Sequence, residues 1–134
     1  MTGLKIEKKI TKAELKKDEP IAERDDLLTG ATYKIKPPIS EHAFYITINN
    51  LNNRPYEIFI NTKCPDSIAW LMTITRMISA VMRVEPDITF LISELKNIHD
   101  PKGSYFYKRL GHVPSLQAHI GIILEHHIKE TTNE

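Results

Sequence analysis

One change of hydrophobic period constrains this chain more than any other feature. Up to Lys63 the apolar side chains recur at every second residue, and from Ile68 onward they recur at every third or fourth. A period of two marks a strand with one face buried, and a period near 3.6 marks an amphipathic helix. "TYKIKPP" sets Tyr33 and Ile35 against Lys34 and Lys36, "HAFYITINN" places Phe44, Ile46 and Ile48 on one face, and "PYEIFIN" repeats the pattern with Tyr56, Ile58 and Ile60. Between the second and third segments lies Asn49-Asn50-Leu51-Asn52-Asn53. Asparagine tolerates the left-handed backbone of a reversing chain, which predicts a hairpin.

The helical half divides into three. Ile68, Leu71, Met72, Ile78, Val81 and Met82, with Ile74 and Met77 beside them, wrap most of one helix in apolar groups and predict deep burial. A second helix begins near Pro86-Asp87, carries Ile88, Leu91, Ile92, Leu95 and Ile98, and stops before the turn-forming Asp100-Pro101-Lys102-Gly103. A third starts at about Ser115 and buries Leu116, Ile120, Ile123 and Leu124. Strands followed by helices predict an α+β domain, a small antiparallel sheet of about three strands with three helices packed on one face.

With 134 residues the chain can bury one core. The first 26 residues are rich in lysine and glutamate, with Leu4, Ile6, Ile10 and Leu15 as the only large apolar side chains between Met1 and Pro20. They read as a charged flexible arm (1–26) before a folded domain (27–130) and a short tail (131–134). Eighteen basic residues against 17 acidic give a net charge of +1, without the excess of a dedicated nucleic-acid binder. One cysteine and no apolar leader or membrane-length run point to the cytoplasm.

That cysteine, Cys64, stands in "TKCPDSIAW". Proline favours the first helical position, so Pro65 predicts Cys64 as the cap and Asp66 in the first turn, where a carboxylate complements the helix dipole. The same geometry would aim backbone N–H groups at a sulfur beside Lys63 and favour a reactive thiolate, against the charge of Asp66. Lys34, Lys36, Arg54 and Lys63, around the sheet and the first helix start, are candidates for holding an anion, with solvent-facing strand charges as the plainer role. Arg76 and Arg83, seven apart on the first helix, are candidates for a partner surface or for pairing with Glu85 or Glu94. No subset of His42, His99, His112, His119, His126 and His127 has the spacing of a zinc site, so no metal is expected.

Longer strings resemble one family in colinear order. "LLTGATYKIKPP", "EHAFYITINN", "RPYEIFINTK", "ITRMISAV", "DITFLISELKNIHDPKGSYF" and "VPSLQAHIGIILEHHI" are similar to the C-terminal region of adenosylcobalamin-dependent (class II) ribonucleotide reductases, the TSCPD domain. Thr62, Cys64, Pro65 and Asp66 match the family's name, with Lys63 in place of its serine. The resemblance implies a role in deoxyribonucleotide synthesis. The family's reaction uses a thiyl radical formed from adenosylcobalamin on a large barrel, and draws its electrons from a cysteine pair. A single thiol cannot form that disulfide, so no catalytic residue is assigned here. The expectation is a non-catalytic accessory domain or subunit that docks on or regulates a class II reductase, binding no cofactor itself and leaving adenosylcobalamin to the partner. Homodimerisation, an independent nucleotide- or small-molecule-binding module, and a mobile-element mimic acting on a host reductase are the alternatives.

Overall fold

The computed structural model describes residues 23–132. Three strands, β1 (Thr29–Ile35), β2 (Phe44–Leu51) and β3 (Arg54–Thr62), pair antiparallel in the order β1-β2-β3. Three helices follow, α1 (Ile68–Val84), α2 (Thr89–Lys96) and α3 (Leu116–Thr132), with a short hairpin of β4 (Tyr105–Tyr107) and β5 (Gly111–Val113) between the last two. The α+β reading holds; the short hairpin is an addition to it.

Register puts the alternating apolar residues on one face. Tyr33 pairs with Ile46 and Ile46 with Ile60, while Ile48 pairs with Ile58. Phe44, Ile46, Ile48 and Ile58 are buried against Leu71, Ile78 and Met82 of α1 and Ile120, Ile123 and Leu124 of α3. The reversal between β2 and β3 falls on Asn52 and Asn53, with φ of 54° and 63°. Positive φ at both central residues gives the reversal a twist that matches the flanking strands. The register then slips between Asn49 and Asn50, and Pro55, which has no N–H to give the ladder, sits at that irregularity.

The first helix differs from its sequence expectation in two ways. It opens with Ser67 as the cap and has no acidic residue in its first turn, so Cys64 does not cap it and Asp66 precedes it. The Ser67 N–H bonds the Cys64 carbonyl at 3.2 Å, closing a separate turn with Pro65 second in it, and the first helical bond runs from the Leu71 N–H to Ser67 at 2.9 Å. Proline suits the second position of such a turn as well as it suits a helix start.

The burial of α1 is also narrower. Only Leu71, Thr75, Ile78, Ser79 and Met82 are buried, while Ile68, Met72 and Met77 are 42%, 56% and 65% exposed. The cause is position: α1 runs along the edge of β3. There the Ser79 hydroxyl accepts from the Ile58 N–H at 3.0 Å and donates to the Ile58 carbonyl at 3.3 Å. An edge strand's free backbone groups are thereby satisfied by a side chain, and the helix's outward stripe is left uncovered.

The other helix starts lie near their predicted places. Asp87 accepts from the Thr89 N–H and hydroxyl at 3.0 and 2.6 Å ahead of α2, and Ser115 accepts from the Ala118 N–H at 2.9 Å ahead of α3. Gly121 lets α3 approach α2 closely, since a Cβ there would lie 2.9 Å from Leu95 Cβ. Residues 1–22, most of the predicted arm, and 133–134 lie outside the described residues. Arg24, near the arm's end, is anchored: its guanidinium donates to the buried carboxylate of Glu57 from Nε and Nη2, the shortest contact being 3.0 Å. Asn49 donates to the same carboxylate at 3.1 Å. No helix among the described residues is long and apolar enough to cross a membrane.

Candidate functional site

Cys64 lies on the wall of a cleft of about 540 Å³ at one end of the sheet. Its backbone is held by Thr62, whose hydroxyl accepts from the Cys64 N–H at 3.2 Å and donates to the Ala43 carbonyl at 2.9 Å. The half-buried thiol meets the Ser67 hydroxyl at 3.4 Å. His42, Trp70 and Tyr105 contribute ring surfaces to the cleft, and Ser40, whose hydroxyl donates to the His42 carbonyl at 2.9 Å, braces the loop that carries His42.

The charges lining this cleft are the carboxylates of Glu41, Asp66 and Asp100, with no lysine or arginine among the lining residues. Lys63 is exposed and lies outside the lining, so the helix start by itself offers an anion a like-charged wall. Among the described residues no three His, Cys, Asp or Glu side chains come together as a metal site.

Two tyrosine–histidine pairs brace α3, one of them through Tyr105 of the cleft wall. The Tyr105 hydroxyl is 2.7 Å from His119 Nδ1, and the Tyr33 hydroxyl is 2.8 Å from Nδ1 of His127, whose Nε2 is 2.8 Å from Asn50 Oδ1. Burial pushes the His119 imidazole down to about 4 and holds the Tyr105 phenol well above its ordinary value, because both charged forms lose their hydration. Burial likewise raises Tyr33, assisted by the charge of Glu130. His119 and His127 thus join α3 to β4 and to β1, respectively, as structural groups. Their apolar neighbours along α3 were the sequence signal for that role. Nothing local in the sequence pointed to the tyrosines.

The other candidate residues do not form one site. Lys34 on β1, Lys36 just after it and Lys63 after β3 share the end of the sheet near the cleft, because Lys34 pairs with Tyr45 and Tyr45 with Asn61. Arg54 follows the Asn52-Asn53 turn at the opposite end. Arg76 and Arg83 are both exposed on α1, and neither makes an ion pair with Glu85 or Glu94 among the described residues. They face a hollow beside Phe59, which is 49% exposed on the outer face of β3. Sequence reasoning missed Phe59 because it sits on the predicted solvent face of its strand.

The sequence pattern of the TSCPD domain matches residues 10–128, most of the chain. This chain belongs to the TSCPD family. That domain is known from class II ribonucleotide reductases. The match begins at residue 10, ahead of the strands, and the TSCPD segment around Cys64 is the turn that brings the thiol to the cleft. No curated protein and no solved structure matches the chain significantly.

Proposed function

We propose that this TSCPD chain is a non-catalytic accessory domain of a class II ribonucleotide reductase, acting in deoxyribonucleotide synthesis by docking on, or regulating, the catalytic chain. The observation that carries the reading is the family pattern running over residues 10–128 in a sequence with one cysteine. Ribonucleotide reduction consumes two electrons per turnover, and the dithiol that supplies them closes to a disulfide. Cys64 has no second thiol in these 134 residues to close with. Adenosylcobalamin, in this reading, stays with the partner.

The surface agrees with a docking role. Ile68 and Met72 of α1 and Phe59 of β3 are exposed around one hollow, and contiguous exposed apolar groups mark sites where another chain can sit. The test is capture: the full chain, immobilised, retains a cobalamin-dependent reductase from extract of its source cell. If the folded chain retains none, the accessory reading fails and an independent binding module becomes the better account.

A further inference from the structure

Two adjoining hollows, of about 360 and 350 Å³, run between β3 and α1. Both are lined by Phe59, Thr75 and Arg76, so they form one trough. Its two ends differ. Ile68 and Met72 line the first half, and Arg83 closes the second. Ion pairs among the described residues join Arg24 to Glu57, and Lys96 and Lys129 to Glu125, leaving Arg76 and Arg83 without one. Glu57, the acid that borders the trough, is buried and already held by Arg24 and Asn49. The trough is therefore apolar at one end and carries toward the other two cations without an ion pair among the described residues.

We propose that this trough docks a short acidic segment of a partner protein, with an apolar side chain seated on Phe59 and Met72 and two carboxylates meeting Arg76 and Arg83. The arginines are seven residues apart on one helix, roughly 10 Å at about 1.5 Å per residue. A segment in the polyproline II conformation has three residues per turn and advances about 3.1 Å per residue, so carboxylates three positions apart lie on one face and span about the same distance. Strand addition is not the mode at Ile58, because Ser79 already occupies its N–H and carbonyl. Guanidinium forks suit carboxylate pairs geometrically as well as by charge. Phosphates would satisfy the arginines too, but a nearly neutral chain and an apolar half-trough favour a protein segment over a nucleic acid. The proposal deepens the accessory reading by giving it a surface, and depends on that reading only for which protein carries the segment.

The test uses the full chain and a fluorescein-labelled seven-residue peptide with phenylalanine first and glutamates fourth and seventh. Its controls have glutamine or lysine at those two positions, and a single-stranded oligonucleotide serves as the phosphate probe. Expected are binding of the glutamate peptide about tenfold tighter than the glutamine peptide, weakening with added salt, and loss of that preference in R76E/R83E. The charge-reversed variant should in turn prefer the lysine peptide, a swap that general destabilisation cannot produce, and its thermal unfolding is followed in parallel. Absence of peptide binding, equal binding of the glutamate and glutamine peptides, an unchanged preference in the variant, or arginine-dependent binding of the oligonucleotide alone overturns the proposal. An arginine-dependent peptide preference without retention of a reductase leaves the trough standing and removes the accessory reading. Retention of the reductase with no peptide preference does the reverse.

Discussion

Acidification should destabilise this domain through His119. Its imidazole is 1% exposed, bonded to Tyr105 at Nδ1, and pushed by burial from 6.5 down to about 4. The unfolded chain therefore binds a proton near pH 6.5 that the folded chain refuses until about pH 4, so stability falls as pH falls through that window and is fully present above it. Between pH 8 and pH 5 the linkage gives a loss of about 2 kcal/mol for this one group. In a domain of this size that lowers the Tm by about 7–9 °C. The assay is thermal unfolding followed by circular dichroism at pH 8, 6.5 and 5, for the wild-type chain and for His119→Gln. The variant is less stable at pH 8, because it disturbs a buried hydrogen bond, but it loses less on acidification by about the same 2 kcal/mol. Parallel losses in the two proteins would refute the argument, since His119 would then carry none of the pH dependence.

Three other substitutions probe the scaffold and the cleft. Ser79→Ala leaves the Ile58 N–H and carbonyl without their side-chain partner at the covered sheet edge and should cost about 1–3 kcal/mol in chemical denaturation. Gly121→Ala gains about 1 kcal/mol in helix propensity, but its Cβ would lie 2.9 Å from Leu95 Cβ, so the net result should be destabilisation by about 1–3 kcal/mol; a rise in Tm contradicts the close helix approach. Cys64→Ser preserves a hydrogen-bonding group beside Ser67 and should shift stability by less than about 1 kcal/mol while keeping partner binding. Loss of binding at unchanged Tm would show that the thiol itself acts.

How much of this molecule the sequence discloses depends on whether the cause is local. Alternation at Phe44, Ile46 and Ile48 reports a buried strand face directly, Asn52 and Asn53 report a reversal, and Ser115 reports a helix start, because each acts within a few residues of itself. The start of α1 is misplaced by three residues because proline fits two local geometries, and only the bond from the Ser67 N–H to the Cys64 carbonyl distinguishes them. The exposure of Met72 and Met77 follows from α1 lying along a sheet edge, a tertiary fact that helical periodicity does not contain. The β4–β5 hairpin has strands of three residues each, too short for alternation to register. The partners in the Tyr33–His127 and Arg24–Glu57 contacts stand 94 and 33 residues apart. The candidate site divides the same way: Cys64, Asp66, Arg76 and Arg83 stand out by residue type, whereas the cleft's acidic lining and the Phe59 trough appear only once strands and helices are assembled.

The proposed docking of this chain on a class II ribonucleotide reductase requires that the two proteins form a complex. Sedimentation velocity on the purified full chain mixed with the purified cobalamin-dependent reductase of its source cell measures this. A saturable complex at micromolar concentration that neither protein forms alone is expected. Two independent boundaries at every ratio, with both proteins folded and the reductase active, would contradict it.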